Sequence, residues 1–203
     1  KCVIVEKISD NSDGTSVIYS KITKKNEIVE TAILHKYLKL TKIKSQKDAD
    51  NCNLYIIVPY LNNKIIEEET LKNEYPLTYR YFNVETIKEV LLGRDRGNIE
   101  KYDSWYAFGR KQGFYNLKNK TVIIIPGIFS AEESPIRIRM KENFFFTNGL
   151  LIEDYSYYSF LTASSFKTFA KLEGKPWAGK NNYVSLSKTL LSTFVLSEHK
   201  KAA

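Results

Sequence analysis

Apolar and polar positions along the chain sort into short β-type runs, most of them in the first two thirds, and three stretches of helical periodicity. Val3–Ile8 and Thr15–Ile22 read as two β segments, and Asn11-Ser12-Asp13-Gly14 lies between them. The Asp-Gly pair supplies a residue tolerant of positive φ, so these segments predict a β-hairpin. Leu54–Pro59 and Thr121–Pro126 are β-branched runs ended by proline, which suits buried strands whose last N–H is not needed in the ladder. Pro135–Met140 alternates Ile with Arg, placing Ile136 and Ile138 inward and Arg137 and Arg139 on a basic outer face.

Three stretches carry helical spacing. Pro76–Leu92 has proline in its first turn, apolar Leu77, Tyr81, Val84, Ile87 and Leu91 at three-to-four spacing, and Gly93 as a stop. Tyr158–Leu172 predicts a second helix with Leu161, Phe169 and Leu172 inward, and Ser185–Leu196 a third with Leu186, Leu190, Phe194 and Val195 inward. Arg94–Ser104 and Gly174–Asn182 are the expected loops, and His199–Ala203 an expected frayed tail. Together these elements predict an α+β fold, a mixed or antiparallel sheet with flanking helices.

At 203 residues the chain fits one large domain or two small lobes, with enough length for a sizeable core. Its formal charge of +8 points to a polyanionic partner. The cations cluster: Lys36, Lys39, Lys42, Lys44 and Lys47; then Arg94, Arg96, Arg110, Lys111, Lys118 and Lys120; then Lys167, Lys171, Lys175, Lys180 and Lys188. Glu67, Glu68 and Glu69 make a negative face expected to point away from such a partner. Cys2 and Cys52 alone suit a reduced, cytoplasmic protein without a disulfide framework. No apolar run approaches the roughly 20 residues that span a bilayer, so no membrane is expected. The chain starts at Lys1 with no methionine and no signal-peptide pattern, which reads as an excised piece of something larger.

Residues 102–114 bring Trp105, Tyr106 and Phe108 together with Arg110, Lys111, Gln112 and two glycines. Lysine and arginine neutralise phosphates, and Arg and Gln form bidentate bonds to guanine and adenine edges, so Arg110 and Gln112 are candidate groove readers. Trp105 and Tyr106 are assigned mainly to packing that fixes the loop. Arg94 and Arg96 are candidate phosphate grips, against the plainer reading of a solvated helix end. Gly174–Tyr183 repeats the mixture with Lys175, Trp177, Lys180, Asn181 and Asn182, and is read as a DNA contact against the alternative of a surface turn. In Phe144-Phe145-Phe146-Thr147-Asn148-Gly149 the phenylalanines are expected to be partly core and Asn148 a modest contact candidate.

Catalytic patterns are sparse. There is no glycine-rich cofactor-binding bend after a strand and no Asn/Asp-Pro-Pro-Tyr/Phe motif. Asp154 with Glu173-Gly174-Lys175 is the nearest approach to a metal-dependent nuclease, but Glu173 ends a helical pattern. His35, His199, Cys2 and Cys52 lack the paired spacing of a zinc site. No catalytic, cofactor or metal residue is therefore assigned.

The order of motifs carries a resemblance: Ile56-Ile57-Val58-Pro59-Tyr60, Glu67-Glu68-Glu69, Tyr75-Pro76-Leu77-Thr78-Tyr79-Arg80-Tyr81-Phe82, Arg94-Asp95-Arg96, Trp105-Tyr106-Ala107-Phe108-Gly109-Arg110-Lys111-Gln112 and Lys120-Thr121-Val122-Ile123-Ile124-Ile125-Pro126. Across residues 28–196 this resembles the TaqI-like C-terminal specificity domain, the target recognition domain of adenine-N6 DNA methyltransferases in restriction-modification systems. The Phe run and Trp177 fall outside the matched pattern. The resemblance implies that residues 1–203 form a target recognition domain that reads double-stranded DNA. It also implies a parent enzyme whose N-terminal catalytic domain binds S-adenosylmethionine and methylates a flipped adenine. A restriction nuclease fragment and a protein-interaction module are the alternatives from other classes.

Overall fold

The structure, a computed structural model, describes residues 3–108, 116–178 and 181–202. Its strands are β1 (Ile4–Asp10), β2 (Thr15–Ser20), β3 (Lys25–Glu30), β4 (Leu34–Lys39), β5 (Leu54–Ile57), β6 (Tyr60–Leu61), β7 (Lys64–Ile65), β8 (Thr121–Pro126), β9 (Phe129–Ser130), β10 (Ile136–Arg139), β11 (Phe144–Thr147), β12 (Gly149–Ile152), β13 (Lys175–Pro176) and β14 (Tyr183–Ser185). Its α-helices are α1 (Gln46–Asp50), α2 (Glu68–Glu74), α3 (Pro76–Phe82), α4 (Glu85–Leu92), α5 (Tyr158–Thr162), α6 (Ser164–Glu173) and α7 (Lys188–Ala202). The fold is α+β, as the patterning predicts. It divides into two compact units, Lys1–Tyr37 with Asn53–Asn116, and Leu38–Cys52 with Leu117–Ala203.

In the first unit the larger sheet runs in the order β4-β5-β1-β2-β3, each pair antiparallel. The predicted hairpin is β1–β2. Gly14 takes φ 83°, and the Asp13 carboxylate accepts from the Thr15 amide at 3.1 Å and its hydroxyl at 2.7 Å, which closes the turn. A bulge between Lys7 and Ser9 shifts the register. Strand β3 follows through a turn with Lys24 at φ 57°, a reversal made without glycine. One face of this sheet supplies Val5, Ile18, Val29 and Ile57 to a core shared with Leu71, Tyr81, Phe82, Ile87, Leu91 and Tyr106.

The single helix expected over Pro76–Leu92 is two helices. Asn83 donates from its side-chain amide to the Tyr79 carbonyl at 3.0 Å, and Val84 is extended at φ −57°, ψ 126°. An asparagine that bonds its own preceding turn competes with helix continuation. The break re-aims the chain, so that Ile87 and Leu91 of α4 reach the same core as Tyr81 and Phe82 of α3. Gly93 caps α4 as predicted, its amide donating to the Glu89 carbonyl at 2.8 Å.

The second unit is built on β10-β8-β12, with β8 central and antiparallel to both neighbours. Val122 and Ile124 enter one core with Leu38, Leu40, Ile43, Ala49, Ile138 and Phe144. Ile123 and Ile125 enter another with Phe129, Leu161, Phe166, Ala170, Leu191 and Phe194. Because β8 is buried on both faces, its sequence is an unbroken apolar run instead of an alternating one. Strand β10 alternates as predicted, with Ile138 buried and Arg137 and Arg139 exposed.

Two helical expectations need correction here. Tyr158–Leu172 breaks at Ala163, which is extended at ψ 158°, after the Thr162 hydroxyl bonds back to the Tyr158 carbonyl at 3.0 Å. The restart rotates the helical stripe, so that α6 buries Phe166 and Ala170 and leaves Leu172 76% exposed. The last helix starts at Lys188, behind a Ser187 hydroxyl that accepts from the Leu190 amide at 3.1 Å. Its backbone stays helical through Ala202, where a frayed tail was expected, and Ser185 belongs to β14. Of the phenylalanine run, Phe144 is buried and Phe146 packs at the edge of the same core, in line with a partly core role.

Candidate nucleic-acid interface

In the first unit the aromatic segment before Gly109 is held from several sides. The Tyr106 ring is fully buried and its hydroxyl donates to the Ile66 carbonyl at 2.5 Å. Burial pushes the Tyr106 phenol above its usual range. Trp105 packs edge-on against Tyr106, with ring centres 5.3 Å apart, and its indole N–H donates to Glu68 Oε1 at 3.1 Å. The Lys88 ammonium stands 5.0 Å from the centre of the same indole. The Phe108 amide donates to the Tyr60 hydroxyl at 2.8 Å, and the two rings lie 5.0 Å apart.

Arg94 braces this segment. Its Nε donates to the Leu91 carbonyl at 2.7 Å and its Nη2 to the Trp105 carbonyl at 2.6 Å, while its guanidinium lies 4.9 Å from the Tyr102 ring centre. These contacts tie the end of α4 to the aromatic segment. The backbone of Arg96 lies in the 3-10 turn Arg94–Gly97. Arg110, Lys111 and Gln112 lie outside the described residues, as does Lys180. The chain enters the first three from Phe108, whose position is set by the Tyr60 bond.

The second unit brings Lys175, Asn181 and Asn182 to one antiparallel ribbon. Lys175 and Pro176 of β13 pair with Ser185 and Val184 of β14, and β14 pairs in turn with β9. Proline is tolerated because β13 is an edge strand. The Trp177 amide donates to the Tyr183 carbonyl at 2.9 Å, and Asn182, at φ 62°, accepts at its carbonyl from the Ala131 amide at 2.8 Å. A Cβ on Gly174 would stand 2.3 Å from the Ala170 carbonyl oxygen and 2.8 Å from Val184 Cβ, so only glycine lets the ribbon sit this close to α6. Lys175, Asn181 and Asn182 are all exposed.

Trp177 is half exposed and joins none of the three buried clusters. With Lys171, Asn181, Asn182 and Tyr183 it lines an open concavity of about 420 Å³. Lys171 pairs with Glu132 at 2.5 Å, and its hydrogen bond and charge hold the Glu132 carboxyl below its usual range, helped by Lys167. Trp177 lies in the loop expected to contact DNA but is not among its expected contact residues, and nothing in the sequence marks Lys171 or Tyr183 as lining a concavity. The exposed aromatic between Pro176 and Gly179 was the available signal.

Asn148 lies on a different turn, between β11 and β12. It is exposed at φ 60°, and its carbonyl accepts from the Gly127 amide at 2.6 Å, so its backbone makes the turn while its side chain faces solvent. The predicted lysine cluster after residue 35 is also mixed in character. Lys36 is buried with its ammonium 5.5 Å from the Tyr55 ring centre, Lys44 pairs with Glu133 at 2.7 Å, and Lys42 and Lys47 are exposed. Lys120 pairs with Glu153 at 2.8 Å. Arg137, on the outer face of β10, lies 5.4 and 4.7 Å from the Tyr155 and Tyr158 ring centres, a cation–π cluster that periodicity alone does not announce.

Asp154 accepts from the Ser156 amide and hydroxyl at 2.9 and 2.6 Å and starts the turn before α5, while Glu173 is exposed at the end of α6. Among the described residues no group of three or more His, Cys, Asp or Glu side chains gathers as a metal site. Among them, too, no helix is long and apolar enough to cross a membrane. No family model matches the chain, and no curated protein matches it significantly.

Proposed function

We propose that this chain reads double-stranded DNA as the specificity domain of a site-specific adenine-N6 DNA methyltransferase of a restriction-modification system. The observation that carries the reading is the β13–β14 ribbon, where Lys175, Asn181 and Asn182 are exposed on or beside two paired strands. A two-stranded ribbon fits the major groove, asparagine pairs bidentately with adenine, and lysine meets phosphate. The net charge of +8 favours the same partner. Phe108 adds a second fixed point, from which the chain runs into Arg110, Lys111 and Gln112.

In the proposed parent enzyme a separate N-terminal catalytic domain binds S-adenosylmethionine and transfers its methyl group to a flipped adenine, while this chain holds the duplex. Arg94 is assigned to bracing the aromatic segment, because its guanidinium is already engaged by two carbonyls. The test is duplex binding by fluorescence anisotropy across a salt series. Six phosphate contacts give a slope of about −5 in log K against log salt. Affinity indifferent to salt would remove DNA as the partner and favour a protein-interaction module.

A further inference from the structure

We propose that the concavity beside the β13–β14 ribbon captures a single unstacked nucleobase, with Trp177 as its stacking face and Asn181 and Asn182 as the amides that meet its edge. This rests on the DNA reading above and specifies what one part of the surface does there. A large aromatic side chain ordinarily finds its place in a core or over a partner ring. Among the described residues Trp177 does neither: it is 50% exposed and joins none of the three buried clusters. Its backbone is nonetheless fixed, by Pro176 before it, by the 2.9 Å bond to the Tyr183 carbonyl, and by the seating of Gly174 on α6. A backbone held in place beneath an open ring is partly preorganised for a flat ligand, since less conformational entropy remains to be lost on binding.

The neighbours select the ligand's chemistry. Each asparagine side chain offers two N–H donors and a carbonyl acceptor, the complement of a base edge. Lys171 lines the same concavity but is paired with Glu132, so the exposed Lys175 at the start of the ribbon is the cation offered to a nucleotide's phosphate. A hydrophobic peptide anchor would satisfy the indole and leave both amides and the Lys175 ammonium unused. In a duplex every base is already stacked on its neighbours, so the platform serves a base that is unpaired or displaced.

The experiment compares the intact chain with Trp177→Ala and Trp177→Phe on three probes: a fully paired duplex, the same duplex with one bulged adenine, and a single strand. Circular dichroism first checks that both variants are folded. Wild type binds the bulged and single-stranded probes on the order of ten-fold tighter than Trp177→Ala does, the stacking contribution of one base, and Trp177→Phe restores most of the difference. All three proteins bind the paired duplex alike. If Trp177→Ala equals wild type on every probe while salt-dependent duplex binding persists, base capture is wrong and the DNA reading stands. If wild type binds none of the probes, the DNA reading fails and takes this inference with it.

Discussion

Glu30, at the end of β3, caps the first turn of α3 through Thr78: its carboxylate accepts from the Thr78 amide at 2.9 Å and hydroxyl at 2.6 Å, and from the Leu77 amide at 2.8 Å. A helix that opens with proline has no capping side chain of its own here, so a carboxylate 47 residues earlier supplies the acceptor. The bond ties the edge of the sheet to the helix that covers it. Glu30→Ala is therefore expected to cost about 2 kcal/mol, the range for hydrogen bonds to a charged group, whereas the isosteric Thr78→Val costs less because both amide bonds survive. Urea unfolding of the two single mutants and the double mutant gives the coupling directly.

Gly149 is expected to tolerate no side chain. A Cβ there would lie 2.5 Å from the Ile125 carbonyl oxygen and 2.8 Å from Leu40 Cδ1, so β12 and β8 must separate or the core must shift. Gly149→Ala should cost about 1–3 kcal/mol by overpacking, and should leave Gly14→Ala as a contrast. At Gly14 nothing stands within 4 Å, but φ is +83°, so the cost there is backbone strain of about 1 kcal/mol. Thermal melts of both variants combined with Leu40→Ala separate the two mechanisms: Leu40→Ala removes only the Cδ1 part of the Gly149→Ala clash, so that pair is partly non-additive while Gly14→Ala adds independently.

Acid sensitivity should involve the first hairpin. The Ser16 hydroxyl, bonded at 2.6 Å, and then Lys7 hold the Asp10 carboxyl below its usual range. A depressed folded-state pKa means that the stabilisation is present above the unfolded value of about 3.9 and is lost as pH falls through the folded value. Asp10→Asn is expected to weaken the protein near neutral pH and to flatten the acid limb of its stability curve. A variant whose acid limb matches wild type removes Asp10 from the titration.

How much of this was legible in the sequence depends on how local the cause is. The β1–β2 hairpin, the buried β8 and the alternating β10 follow from turn chemistry and periodicity over a few residues. The kink at Asn83 and the break at Ala163 do not, because the apolar spacing continues across both; what decides them is an Asn83 amide and a Thr162 hydroxyl bonding back into the preceding turn. Strand β3 was missed because its turn uses Lys24 at positive φ instead of glycine. At the candidate interface, the ribbon around Lys175, Asn181 and Asn182 could be read as a glycine-rich polar loop. The engagement of Arg94 by Leu91 and Trp105 carbonyls could not, because a sequence gives charge without giving direction.

The aromatic segment should separate stability from recognition. Trp105 touches Phe82 and Tyr106 in the first core, so Trp105→Ala is expected to cost about 3 kcal/mol, and Tyr106→Phe about 1–2 kcal/mol through the Ile66 carbonyl it leaves unpaired. Arg110→Ala is expected to leave the melting temperature within the scatter of surface substitutions and to weaken duplex binding. A Trp105 variant that melts normally and loses DNA instead would reverse these roles.

Specificity should divide between the two segments differently from affinity. If Arg110 and Gln112 meet base edges, replacing either in the intact parent enzyme loses about 1–3 kcal/mol of discrimination at one base position and leaves nonspecific binding less changed. Lys175, exposed at the start of the ribbon, is assigned to phosphate, so Lys175→Ala weakens binding to every sequence and reduces the salt slope by about one. Asn181 and Asn182 fall between: as edge-reading amides they alter sequence preference, as mere ribbon residues they alter neither. Mapping the methylated sites produced by each variant distinguishes these outcomes. An unchanged motif for Arg110, Gln112, Asn181 and Asn182 variants alike would place base reading elsewhere on the chain, and the exposed Arg139 on β10 and Asn148 between β11 and β12 would be the next positions to replace.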